Sequence, residues 1–304
     1  MAKAKRSSKK SKRSTPRLSK AAVDRNSTPA SADGSIAPEV LKELLSLYNA
    51  ARKDHGSSGR NATIESAAHV AAVKLAENHG IPGIANMLES IVLSRTGNAP
   101  QAWQRLDGIL EIVPAELAGQ AHHVLGFVLS QLKRYSDAIT EYEKALATTG
   151  YDTPGIALND LGLAYVNNMD YDRAIEFFEK ALTAPGYDTP GHPLNNLGLV
   201  YARKKDYDRA IQFYEKAFAS PEFDKPGNAL YSLGLACSAK KDYDRAIEFY
   251  ERALATPGCD KPGYTLNNLG LAYASKKDYD RAIEFYEKAL ATPEFDRPGN
   301  ALYN

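Results

Sequence analysis

Two adjacent histidines, two cysteines and several rows of side-chain amides are the groups in this 304-residue chain whose types could support chemistry. His122 and His123 are neighbours on an expected helix, so their rings leave it on different faces. They cannot chelate one metal ion as an i,i+4 pair does, and the pattern predicts ordinary helix-surface positions for both. Cys237 and Cys259 form no Cys-x-x-Cys pair and lie near no histidine cluster, which excludes a disulfide scaffold and a structural zinc site of known spacing. No phosphate-binding glycine loop, HExxH or GxSxG motif occurs. The many carboxylates recur with the helix period at capping and surface positions. The expectation is a protein without catalytic residues, metal or cofactor, and not an enzyme.

What remains is hydrogen bonding. One row holds Asn159, Asn195, Tyr231, Asn267 and Tyr303; the next holds Asp160, Asn196, Ser232, Asn268 and Asn304. Each amide offers a donor and an acceptor together. An apolar row, Leu163, Leu199, Leu235 and Leu271, follows three residues later.

These rows are positioned by a repeat. At an offset of 36 residues Tyr135, Tyr171, Tyr207, Tyr243 and Tyr279 fall into register, and Lys240–Pro257 recurs at Lys276–Pro293 with one change, Arg252 against Lys288. A fixed period of this size with helical patterning predicts a solenoid, which overrules the two domains that length alone suggests. Each unit reads as two helices. The first runs from a Pro-Gly pair to a polar turn such as Lys204-Lys205-Asp206. The second starts after the N-cap Asp206 and buries the stripe Ala210, Ile211, Tyr214, Ala217 and Phe218. Cys237 stands where other units carry Tyr165, Tyr201 and Tyr273, and is expected as a buried packing variant.

The chain resembles the tetratricopeptide repeat family. The residues that carry the likeness are Gly162, Gly198, Gly234 and Gly270, then Ala174, Ala210, Ala246 and Ala282, then Phe178, Tyr214, Tyr250 and Tyr286, with helix-ending Pro221, Pro257 and Pro293. The resemblance implies an all-α, right-handed superhelical solenoid of antiparallel helix pairs. It covers residues 119–304 as five units and the start of a sixth, with the Gly126 unit the loosest. Residues 36–118 are expected as an N-terminal helical region: a helical pair over 36–80, then a degenerate unit of helices Ile84–Arg95 and Ala99–Ile112.

The resemblance also implies a protein or peptide partner on the concave surface built by the first helices. The expected contacts are Asn159, Asp160, Leu163, Asn195, Asn196, Leu199, Tyr231, Leu235, Asn267, Asn268 and Leu271, where an amide ladder can pair with the backbone of an extended peptide. The carboxylate-clamp subclass needs Lys and Arg at groove positions that here hold Asn228, Ser232 and Asn300. Removing Asn196 and Asn268 is expected to weaken capture without cost to the fold.

Charge divides the chain. The net +1 hides a tail, residues 1–35, with ten basic and two acidic side chains, on a body of net −7. The tail lacks aromatic residues and is expected to be disordered. Its segment 1–25 can attract nucleic acid or an anionic surface, and KKSKR can act as a nuclear import signal. No segment approaches a membrane span, and two expected thiols point to the cytoplasm. Gly299–Asn304 begins another first helix and stops before its Leu-Gly. Two expectations follow: self-association through an uncapped end, or a longer protein with a catalytic domain beyond residue 304, for which this is scaffold.

Overall fold

The computed structural model describes residues 35–57 and 66–292, and every regular element among them is helical. The order is α1 (Pro38–Ser57), α2 (Ala67–Asn78), α3 (Ile84–Arg95), α4 (Ala99–Arg105), α5 (Ile109–Ile112) and a single 3-10 turn at Ala115–Leu117. Five repeat units then follow as helix pairs. They are α6 (Ala118–Gln131) with α7 (Tyr135–Ala147), α8 (Pro154–Asn167) with α9 (Tyr171–Thr183), α10 (Gly191–Arg203) with α11 (Tyr207–Phe218), α12 (Pro226–Ala239) with α13 (Tyr243–Ala255), and α14 (Pro262–Ser275) with α15 (Tyr279–Leu290). The basic tail, Tyr303, Asn304 and the expected start of a sixth unit lie outside the described residues.

Local chemistry explains the boundaries. At each polar turn one residue adopts the left-handed conformation: Lys133, Met169, Lys205, Lys241 and Lys277 have φ between 61° and 65°. Around Lys205 the Asp206 N–H donates to the Tyr201 carbonyl (2.9 Å) and the Lys205 N–H to that of Ala202 (3.0 Å), the paired closure of a Schellman motif. Asp206 then turns its carboxylate onto the Arg209 N–H at 3.1 Å, capping α11. Asp170, Asp242 and Asp278 cap α9, α13 and α15 in the same way.

Packing within a unit depends on glycine. A Cβ placed on Gly126, Gly162, Gly198, Gly234 or Gly270 would sit 2.4–2.8 Å from the ring of Tyr142, Phe178, Tyr214, Tyr250 or Tyr286, its partner on the second helix. No side chain fits there, so the ring lies flat against first-helix backbone. Ala174, Ala210 and Ala246, fully buried, complete the close approach.

A second aromatic layer lies within a unit and reaches the unit before it. Tyr165 stacks on Phe177 (centroids 5.3 Å apart) and Tyr201 on Phe213 (5.3 Å), while the Tyr165 hydroxyl reaches back to Glu143 of the preceding unit at 3.1 Å. Cys237 is fully buried at the equivalent place, and Phe249 there receives Arg245 and Arg252 over its ring instead of a tyrosine. The expected packing role of Cys237 holds, and burial pushes its thiol pKa up. Exposed Lys204–Asp172 (2.6 Å), Lys240–Asp208 and Lys276–Asp244 pairs tie successive units at their edges.

The N-terminal region differs from expectation in one element. The stretch Ala99–Ile112 is not one helix, because Gly108 at φ 71° breaks it between α4 and α5. Leu44, Tyr48, Ile84, Met87, Leu117 and Val128 share one buried cluster, so α1 to α5 and the first repeat unit are built on a common core.

Two substitutions test this account. Lys241→Gly relieves a left-handed lysine that makes no ion pair among the described residues, and is expected to stabilise by about 0.5–1 kcal/mol, read as a raised thermal midpoint. Gly234→Ala drives a methyl into the Tyr250 ring and is expected to destabilise by about 1–3 kcal/mol in the same measurement.

Candidate functional site

The two polar rows meet. Two residues of the first row, Asn159 and Tyr231, are bonded across the gap between consecutive first helices by the residue of the second row 37 positions later. Asn196 Nδ2 donates to Asn159 Oδ1 (2.9 Å), and Asn268 Nδ2 donates to the Tyr231 hydroxyl (3.1 Å). The rungs of this ladder are thus made between units. Asn159 and Asn267 are buried, Asn195 and Asn196 half-buried. Asn196 and Asn268 are therefore not removable without cost, because their loss strips a partner from Asn159 and Tyr231.

The apolar row divides. Leu163 and Leu199 are partly buried against the core, whereas Leu235 (41% exposed) and Leu271 (37%) present free apolar surface beside the ladder. Along the connectors Lys225 and Asn228 hold Asp260 at 2.9 and 2.7 Å, and His192 lies 3.3 Å from Asp224. The Lys225 and Asp260 charges neutralise one another. Among the described residues no group of three or more His, Cys, Asp or Glu is placed to hold a metal ion.

His123 corrects the sequence expectation. It is 1% exposed rather than at the surface, and it occupies the same row as Asn159, one period earlier. That offset was present in the sequence as a signal. Its Nε2 lies 2.9 Å from Asp160 Oδ2 and 3.4 Å from Arg52 of α1, and the Tyr151 hydroxyl meets Nδ1. With its proton on Nε2 the ring donates to Asp160 and accepts from Tyr151. Beside it Asn49 and Gln120 both donate to Asp152, at 2.7 and 2.9 Å. The amides, Arg52 and His123 together bind α1 to the first unit. His122 is half-buried, its Nδ1 2.7 Å from Glu141.

Burial, followed by the charge of Arg52, holds the His123 pKa below its ordinary value of 6.5. Burial raises that of Asp160, but the hydrogen bond from His123 and the Arg52 charge outweigh it and keep the carboxylate ionised. The unfolded chain therefore takes up the histidine proton first. Stability should be full above about pH 7 and fall as pH drops through about 6.5, with a second loss below about pH 4 as Asp160 protonates. His123→Asn, which installs the residue of the next unit, is expected to reduce the slope between about pH 7 and 5.5 in thermal melts. His69, also shifted downward by burial, contributes to the same slope.

Among the described residues no helix is long and apolar enough to cross a membrane. The sequence profile of the tetratricopeptide repeat matches residues 117–186, 152–222, 191–257 and 227–294, overlapping stretches that span more than half of the chain. A comparison with curated proteins finds no match. In solved structures the chain is similar to PilF of Pseudomonas aeruginosa, with 21% identity over 71% of this chain and 95% of that one and a TM-score of 0.56. It is similar to PilW, a type IV pilus biogenesis factor, with 17% identity over 72% and 98% and a TM-score of 0.60. It also resembles the structure of the APC/C hetero-tetramer Cut9-Hcn1, with 19% identity over 88% of this chain but only 48% of that one and a TM-score of 0.64. These are likenesses of fold. The unit anatomy and the matched profile agree: the chain belongs to the tetratricopeptide repeat family.

Proposed function

We propose that this interaction scaffold is non-catalytic and holds an extended segment of a partner protein along the face of its first helices, within an array of residues 119–304 that residues 36–118 close at the N-terminal side. The observation that carries this reading is the apolar surface of Leu235 and Leu271, left exposed beside a polar ladder of the same period. An extended peptide alternates its side chains, so apolar residues can reach the leucines while its main chain runs over polar groups. In this reading the basic segment 1–25 is a separate electrostatic handle for nucleic acid or an anionic surface, and the protein works in the cytoplasm.

Random twelve-residue peptides displayed on phage and selected on the full chain test the proposal. Enriched sequences should bind Leu235→Asp or Leu271→Asp at least about tenfold more weakly, since a carboxylate would replace buried apolar contact. Glu248→Ala on a second helix should leave affinity within about twofold. Failure to enrich any peptide, or equal loss with Glu248→Ala, overturns it. Because the surface is largely uncharged, the dissociation constant should change by less than about threefold between 50 and 300 mM salt, in contrast to the steep dependence of a charge-driven site.

A further inference from the structure

The side of the second helices carries a cleft that the repeat does not predict. Regular units have a second helix of 12 or 13 residues, whereas in the degenerate unit α4 has 7 and α5 has 4, with Gly108 between them. At this break a cleft of about 430 Å3 opens between α4–α5 and α7. Leu106, Ile109, Leu125 and Leu129, all buried, line its floor. Trp103 (36% exposed) and Leu110 (43%) stand in its wall and present free apolar surface.

The rim is acidic. Arg134 lies over the Trp103 ring (5.2 Å) and pairs with Asp137 at 2.7 Å, while Glu141 is held by Lys144 at 2.8 Å and by His122. Asp107 and Glu111 make no ion pair among the described residues, so two carboxylates of the lining stay unneutralised. An apolar floor beside two free carboxylates is complemented by a branched apolar side chain flanked by cations.

The described chain begins next to this cleft. The Ile36 N–H donates to Glu116 Oε1 at 3.2 Å, and Glu116 sits in the 3-10 turn that follows α5. The residues before it carry ten basic and two acidic side chains. Between Ala2 and Ala22 they include one large apolar side chain, Leu18, with Arg17 before it and Lys20 shortly after. The chain from Leu18 to Ile36 can span up to about 60 Å, so the cleft is within its reach.

We propose that the cleft is the docking site of the chain's own segment Arg17–Lys20, with Leu18 on the apolar floor and with Arg17 and Lys20 meeting Asp107 and Glu111. Docked in this way the segment covers Trp103 and Leu110 and withholds part of the tail's positive charge from other anions. The contact is made beside the second helices, so it is separate from the face of α10, α12 and α14 and needs no ligand there.

Trp103 is the single tryptophan of the chain, so its fluorescence reports on the cleft in the full-length protein. Acrylamide, a neutral quencher, is expected to quench Leu18→Asp at least about twofold more strongly than the parent, since undocking uncovers the ring. Arg17→Glu with Lys20→Glu, Asp107→Asn with Glu111→Gln, and the parent in about 500 mM salt should all show the same increase. The tail variants leave every described residue intact, so they stay informative if the Asp107 and Glu111 variant fails to fold. Lys5→Glu with Lys9→Glu makes an equal charge change outside the segment and should leave quenching within about 20% of the parent. Equal quenching of the parent, Leu18→Asp and the Arg17 and Lys20 variant overturns the inference. An equal increase with the Lys5 and Lys9 variant means that total tail charge acts in place of this segment, and also overturns it. Quenching of the parent should be constant between about 0.5 and 50 µM protein; a fall over that range puts the tail of a second copy in the cleft and overturns the intramolecular contact.

Discussion

The contact on which this structure depends is an aromatic ring pressed onto bare helix backbone. Gly162 under Phe178, Gly198 under Tyr214, Gly234 under Tyr250 and Gly270 under Tyr286 leave no room for a methyl group. A glycine in mid-helix costs about 1 kcal/mol relative to alanine, and burial of an aromatic ring against it returns more than that. The same contact sets the distance between the two helices of a unit, and through it which residues of the first helix can reach the next unit. Rungs 37 residues apart exist because every unit repeats this distance.

Much of this was legible in the sequence, because the relevant signals are local and repeated. The 36-residue offset, the Asp N-caps and the Gly, Ala and aromatic positions each depend on neighbours within one unit, so reading five copies was enough. Cys237 could be assigned as packing by comparison with Tyr165, Tyr201 and Tyr273. What failed did so for physical reasons. The helix expected over Ala99–Ile112 scored as apolar and periodic, yet Gly108 adopts a left-handed conformation that periodicity does not detect. His123 looked like a surface residue because its partners Arg52, Tyr151 and Asp160 lie 71, 28 and 37 positions away. The amide rows fall on the first helices, but whether an amide is free depends on its neighbour in the next unit, and Asn196 and Asn268 turned out to be engaged.

That last distinction bears on how a repeat surface acquires a ligand. An amide facing a partner of matched reach is satisfied internally, contributes about 0.5–1.5 kcal/mol to the coupling of adjacent units, and offers a ligand little. An amide facing a shorter residue keeps its hydrogen-bonding capacity. Stability of the array thus depends on which first-helix amides find a partner in the next unit. Solenoid stability is a sum of unit and nearest-neighbour terms, so one unmade rung costs only its own interface. Near-identical second helices, with differences concentrated on the first, fit this division: the second helices maintain the stack while the first are free to open or close individual rungs.

The same reasoning explains why the N-terminal end is built differently. At the first unit the row position equivalent to Asn159 is His123, whose Nε2 meets Asp160 and whose Nδ1 accepts from Tyr151, with Arg52 of α1 packed 3.4 Å from the ring and Asn49 of α1 reaching Asp152 beside it. Helix α1 thus adds polar partners to the first unit, and its apolar residues Leu44 and Tyr48 enter the core shared with α6. Exposed apolar surface on the first helices lies instead farther along the array, at Leu235 and Leu271.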